Sequence, residues 1–382
     1  MNIIFTCGGT AGHINPAIAL AKMFRERMAD CNILFIGAKG GMEERLVPRE
    51  GFQLKTVTIS NFQRKLTPKN IWHNVVALKN VVTSAATARK YIRDFKADVV
   101  VGMGGYASFP AMKQGAKLGV ATLVHEANAV PGLTTKMVAD HVDKIMVAFE
   151  ESARHYKNRD RVVVVGMPVR SEFVHGDQEA MKQKLGYAGK KLVVSSWGSL
   201  GARDMNRQME EFIRLEAEEA AAPFCHVHAT GAGAWEWMPQ EIRDSGVMLE
   251  DHPAIELKDY IYNMPELMVA ADLVISRAGA SSLNEIAASG TPAIIVPSPN
   301  VTDNHQEKNA RILEQRGGAV VIRESESSGR VLYETAKAIL ADEKRAAQMG
   351  EAARAAAVLD SAERIYELIL KTVEESHEKT KA

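Results

Sequence analysis

Short apolar runs separated by helical patterns set the rhythm of this chain. NIIFTC (2–7), NILFIG (32–37), DVVVG (98–102), VATLVH (120–125), KIMVAF (144–149) and RVVVVG (161–166) each read as a strand buried on both faces. Helical stretches lie between them, the first opening at Ala17, Ile18, Ala19, Leu20 and Ala21. This alternation predicts βαβ units, hence a parallel sheet with helices on both faces. The rhythm restarts with KLVVSSWGS (191–199), PFCHVHATG (223–231), ADLVIS (271–276) and PAIIVPS (292–298). GMPVRSEFVHGD (166–177) carries Gly, Pro and polar residues at the join. The expected class is α/β, with two Rossmann-like domains facing a cleft, 1–165 and 166–350. Beyond about residue 327 the chain turns helical and rich in Ala and Glu. Asp360 and Glu363 have capping-box spacing ahead of Ile365, Leu368, Ile369 and Val373, so 351–382 is expected to be a helical segment packing back toward the first domain.

Three glycine-rich turns follow three of these strands: GGTAGH (8–13), GMGGYASFP (102–110) and SWGSLGA (196–202). A glycine turn between strand and helix lets the backbone approach a ligand and aims unpaired amides at it, which suits an anion or a sugar hydroxyl. None of the three fits the G-x-G-x-x-G dinucleotide fingerprint with an acidic residue about 20 positions on. Each glycine on its own needs no more than a tight turn to explain it. Gly198, Ser199 and Gly201, ahead of a helical stretch at 204, suit a nucleotide diphosphate best, which leaves the two earlier loops for a different anionic group.

Composition narrows the picture further. With 382 residues the chain exceeds one typical core. Lys plus Arg equals Asp plus Glu at 47 each, so net charge makes no case for nucleic acid. Cys7, Cys31 and Cys225 have neither disulfide nor metal-ligand spacing and fit a reducing compartment. No Asp-x-Asp of the kind that holds a metal against a diphosphate occurs, so no metal and no cofactor are expected. The first residues lack a leader pattern and no window is apolar enough for a spanning helix, which predicts a soluble or peripheral protein.

Taken with HEANAVPG (125–132), GMPVR (166–170), SRAGASSLNEIAASGTPAIIVPSP (276–299) and DNHQEKNA (303–310), the three loops resemble the MurG family, the peptidoglycan N-acetylglucosaminyltransferases of glycosyltransferase family 28. The resemblance runs through essentially the whole chain. It implies a GT-B fold with the lipid-linked acceptor on the N-terminal domain and the UDP-sugar on the C-terminal one. The activity implied is transfer of N-acetylglucosamine from UDP-N-acetylglucosamine to undecaprenyl-diphospho-N-acetylmuramoyl-pentapeptide, with inversion. It also implies donor contacts at Thr10, Ala11, Gly12, Asn128, Arg170, Ser199, Ile261, Ala280, Ser281, Ser282, Glu285 and Gln306, and acceptor contacts at Gly104, Gly105, Tyr106 and His125. Glu285, on a helix behind the Gly279 turn, can accept two hydrogen bonds from a ribose diol, although a solvated helix glutamate is the plainer reading of that residue alone. The chain departs from the family's usual pattern at Ala11, Trp197, Leu200 and His305.

An inverting transfer needs one base for the acceptor hydroxyl. His13 is the first candidate and Glu126 the second; His13 as an acceptor hydrogen bond or as a packed core histidine are the other readings. Ile71, Trp72 and Val75, at helical spacing with Lys69 and Lys79, read either as a surface for anionic lipid or as an ordinary core-facing helix. The family's polyprenyl acceptor favours the first, placing the protein peripherally on the cytoplasmic face of the bacterial cell membrane. Rival readings are a dinucleotide oxidoreductase, a UDP-N-acetylglucosamine 2-epimerase, a lipid glycosyltransferase of the same fold and a non-catalytic sugar-nucleotide binder.

Overall fold

The apolar runs become strands of two parallel sheets in a computed structural model, all of them inner strands except RVVVVG, which forms an edge. It describes the backbone of residues 1–59, 68–198 and 201–381, and the side chains of the same residues except 68–79, 81, 82, 380 and 381. The first sheet holds β1 (Asn2–Thr6), β2 (Asn32–Ala38), β3 (Gln53–Val57), β4 (Val99–Gly102), β5 (Ala121–Glu126), β6 (Lys144–Val147) and β7 (Val162–Val164), in the order β3-β2-β1-β4-β5-β6-β7. The second holds β8 (Leu192–Ser196), β9 (Cys225–Ala229), β10 (Ile255–Lys258), β11 (Leu273–Ser276), β12 (Ala293–Ile295) and β13 (Ala319–Val321), in the order β10-β9-β8-β11-β12-β13. In each sheet the order reverses beside the first strand, at β1/β4 and at β8/β11. Chains leaving such a switch point diverge to opposite faces and open a crevice at the strands' carboxyl ends, where ligands of this architecture bind. All three glycine turns leave from those ends.

Successive residues of the inner strands face opposite sides, and both sides are apolar. Ile3, Phe5, Val99 and Val101 pack with the helix Ala11–Arg27, while Ile4 and Val100 face the opposite way, with Ala88 and Ile92 of the helix Pro68–Phe95. Phe5 stacks on Phe35 at 5.6 Å between ring centroids, and Phe35 meets Phe52 at 5.4 Å. The second sheet is covered likewise, with Val193, Leu273 and Ile275 against Met209, Phe212 and Ile213 of the helix Arg203–Ala217. Each fully buried side chain of this size contributes about 1.5–3 kcal/mol.

Two units result: Met1–Pro168 with Asp360–Ala382, and Val169–Leu359. The first division lies at Pro168 rather than at 165, because the Gly166 amide donates to the Val147 carbonyl and the Gly166 carbonyl meets His125, both in the first unit. The second lies at Leu359 rather than at 350. The helix Glu343–Ala356 belongs to the second unit as a whole: its Ala353 is in that core, and Arg354 donates to the carbonyls of Val174 and Ala288. The chain then returns to the first unit, where Ile365, Ile369 and Val373 of the helix Ser361–Lys381 are buried with Phe24 and Leu20.

Candidate functional site

In the first unit the loop after β1 and the loop after β4 interlock. A Cβ at Gly105 would lie 2.1 Å from the Gly8 carbonyl oxygen, and one at Gly104 would lie 2.6 Å from the His13 ring; both glycines also have positive φ, at +84° and +102°. Thr10 precedes the helix Ala11–Arg27 in an extended conformation without a side-chain cap, and no acidic residue stands in the first turn. The amides around Ala11 and Gly12 therefore remain available to an anion. His13, half-buried, places Nδ1 3.1 Å from the Gly8 carbonyl oxygen. A carbonyl only accepts, so Nδ1 carries the proton and the lone pair of the neutral ring sits on Nε2, the edge beside Gly104. Tyr106, in the second loop, is exposed.

The loop after β5 is built differently. Glu126 is buried, and its Oε1 accepts from the Asn128 backbone amide at 3.0 Å and from Asn128 Nδ2 at 3.1 Å; Oε2 accepts from the Gly132 amide at 2.9 Å. The carboxylate thereby braces the turn from 127 to 132. His125 is buried too, its Nε2 2.8 Å from the Gly166 carbonyl oxygen, and burial lowers its pKa. Of the acceptor-side residues expected from sequence, His13, Gly104 and Gly105 come together, whereas His125 and Glu126 are engaged inside the fold.

In the second unit, Gly279 opens the helix Ala280–Ser289 with no side-chain cap, so the first-turn amides of Ala280, Ser281 and Ser282 are available beyond β11. Glu285 lies one turn further along, half-buried, and its carboxyl is pushed up to about 7 by burial, against the pull of Arg170. The Arg170 guanidinium lies 5.5 Å from the Phe173 ring centre. Ile261 is buried, and Gln306 Oε1 accepts from the Ser298 amide at 2.9 Å, which leaves its NH2 group to donate elsewhere. Just ahead of Gln306, Asp303 and Asn304 both adopt the left-handed conformation, at φ +55° and +49°, a strained pairing that typically marks a functional loop. Ser199 and Leu200 lie outside the described residues, as do the side chains of Lys69, Ile71, Trp72, Val75 and Lys79.

Arg277 is a basic residue near the candidate site that the sequence reading passes over. It stands just before the uncapped helix, pairs with Glu324 at 2.6 Å and lies 6.0 Å over the Trp197 ring. A basic residue between a strand end and a glycine turn is the signal that would have found it. Among the described residues no helix is long and apolar enough to cross a membrane.

A family model described as the glycosyltransferase family 28 N-terminal domain matches residues 3–147, and one described as the C-terminal domain matches 192–365. The chain belongs to glycosyltransferase family 28. As a family 28 protein it is similar to the UDP-N-acetylglucosamine--N-acetylmuramyl-(pentapeptide) pyrophosphoryl-undecaprenol N-acetylglucosamine transferase of Acetivibrio thermocellus, at 40% identity over 97% of each chain. In fold it is similar to Acinetobacter baumannii MurG, with a TM-score of 0.75 at 24% identity over 97% of this chain and 99% of that one. The UDP-N-acetylglucosamine 2-epimerase of Neisseria meningitidis shares the fold at a TM-score of 0.65 and 13% identity, over 97% of this chain and 100% of that one. A family 28 glycosyltransferase with the GT-B pair of Rossmann-like units accounts for both sheets.

Proposed function

We propose that this glycosyltransferase moves N-acetylglucosamine from UDP-N-acetylglucosamine to a hydroxyl of undecaprenyl-diphospho-N-acetylmuramoyl-pentapeptide, completing the lipid-linked precursor of peptidoglycan. The observation that carries the donor half is the uncapped helix Ala280–Ser289 with Glu285 one turn in and Arg170 beside it. Its free amides, with Gly198 and Gly201, meet the diphosphate; Glu285 accepts from the ribose hydroxyls; the backbone at Ile261 pairs with uracil; Gln306 donates to the sugar.

The reaction is a single displacement. His13 Nε2 takes the acceptor hydroxyl proton as the oxygen attacks the anomeric carbon, the bond to the diphosphate breaks, and UDP leaves with the electron pair. Gly104, Gly105 and Tyr106 receive the acceptor. Glu126 and His125 serve by holding the loops, since their polar atoms bond backbone groups. Amides and arginines offset the charge developing on UDP. No nucleic acid takes part.

The polyprenyl acceptor stays in the bilayer, so the helix Pro68–Phe95 is proposed to carry Ile71, Trp72 and Val75 into a lipid surface, with Lys69 and Lys79 on anionic headgroups. The protein then works as a peripheral enzyme on the cytoplasmic face of the membrane. The deciding assay is UDP release from UDP-N-acetylglucosamine with and without lipid-linked muramyl-pentapeptide. Release that depends on acceptor supports the transferase; release without acceptor supports an epimerase-type or hydrolytic activity instead.

A further inference from the structure

A series of buried polar side chains runs under the donor end of the second sheet and has no part in the chemistry above. His226 and His228 lie two residues apart on β9, hence on one face, and Ser195 of β8 is the register partner of His228. Ser195 Oγ is 2.8 Å from His226 Nε2 and 2.7 Å from His228 Nδ1. From the helix Arg203–Ala217, Glu216 Oε2 reaches His226 Nδ1 at 3.0 Å and Asn206 Oδ1 reaches His228 Nε2 at 3.1 Å. Asn206 Nδ2 then donates to the Thr230 carbonyl at 2.8 Å. All of these side chains are buried.

The last bond fixes the direction of the others. Thr230 can only accept there, so Asn206 turns its Oδ1 to His228, whose Nε2 must carry a proton. Burial, and His226 nearby, hold the His228 pKa well below the usual range. The ring is thus neutral, and its Nδ1 accepts from the Ser195 hydroxyl, which in turn accepts from His226. Glu216, His226 and Ser195 have the order of a hydrolytic triad, but Ser195 is sealed from solvent and its proton is committed to His228. The series is therefore a directed brace that ends on one carbonyl.

That carbonyl lies at a junction. A Cβ at Gly201 would come within 2.2 Å of Thr230 O, so the Gly201 backbone rests directly on it. The Thr230 amide donates to Lys258 O at 2.9 Å and the Gly231 amide to Asp259 O at 3.1 Å, which ties the same turn to the segment leading into Ile261. We propose that Ser195, His228 and Asn206 are positioning residues that set the phosphate-facing loop at its working distance from the uracil-facing segment, and so set the affinity for the uridine diphosphate portion of the donor. The inference rests on the donor reading given above.

The test compares wild-type protein with Asn206→Asp, which keeps the shape but loses the N–H to Thr230, and Ser195→Ala, which removes one oxygen between the two imidazoles. UDP affinity is measured by calorimetry, donor and acceptor KM by UDP release, and folding by circular dichroism. The expected result is UDP binding weakened about tenfold or more, the effect of one lost hydrogen bond near 1.4 kcal/mol. Donor KM rises in parallel and acceptor KM stays unchanged, a split that simple loss of folded protein does not produce. Should Asn206→Asp fail to fold, Ser195→Ala decides alone. A folded variant that binds UDP within twofold of wild type overturns the positioning role. Wild-type protein that takes up no UDP overturns the donor reading, and this inference with it.

Discussion

The Gly8 carbonyl holds the His13 imidazole by Nδ1 at 3.1 Å, and that single bond selects the ring nitrogen able to accept a proton. Removing the ring removes the proposed base while leaving the donor contacts proposed for the second unit intact. His13→Ala is therefore expected to lower kcat by about 10² to 10⁴, with UDP affinity unchanged by calorimetry. A loss smaller than about tenfold would move the base elsewhere.

Glu126 offers the matching control. Its two oxygens accept three N–H groups, so Glu126→Gln sets an amide NH2 against one of those donors. The variant is expected to lose about 1–3 kcal/mol of stability, read as a lower melting temperature. The acid limb of its pH–rate profile stays where it is in wild type. Disappearance of that limb would mark Glu126 as the titrating base.

On the proposed donor contacts, Glu285 makes donor binding depend on pH. Its carboxyl sits at about 7 in the free protein, against 4.5 for an unperturbed group, and only the charged form accepts from both ribose hydroxyls. Donor KM is expected to rise as pH falls from 8 to 6, and to be higher but flat over that range in Glu285→Gln. Stability runs the other way. The folded state holds this proton more tightly than the unfolded state does, so the group's contribution is full below about 4.5 and lost as pH rises through about 7. Glu285→Gln should accordingly melt higher than wild type at pH 8, and the gain should vanish near pH 4.5.

Lys182 and Asp272 form a mostly buried pair at 2.8 Å, and Asp272 also accepts from the Leu192 amide at the start of β8. Lys182→Met strands that carboxylate and is expected to cost about 3–5 kcal/mol in the urea unfolding of the second unit. The exposed Lys90–Asp94 pair serves as comparison, and Lys90→Ala should leave the unfolding midpoint in place.

The inner strands are legible in the sequence because burial on both faces demands continuous apolar runs, as in Val99–Val101 or Ile294–Ile295. The edge strands β3, β10 and β13 escape the same reading. QLKTV and IELK alternate apolar with polar residues because one face meets solvent, and AVV is too short to stand out. Candidate site residues are legible where a residue type carries the proposed chemistry, as with His13 and Glu285. The bracing role of Glu126 is not, because two of its three donors are backbone amides of a turn whose shape no side chain announces. The spacing of His226 and His228 does place them on one strand face, but their partners Glu216 and Asn206 belong to a helix that only tertiary packing brings across the sheet.

The return of Asp360–Ala382 to the first unit makes Val169–Leu359 an insertion within it. On the ribosome, the inserted unit is synthesised in one uninterrupted stretch and has every strand of its sheet before the last helix emerges. At ~5–20 residues per second its synthesis takes roughly 10 to 40 s. Throughout that interval Phe24 and Leu20 have no Ile365, Ile369 or Val373 to pack against. The half that begins first is thus the half that finishes last, and a chain halted anywhere short of residue 360 displays an open apolar face on its N-terminal unit.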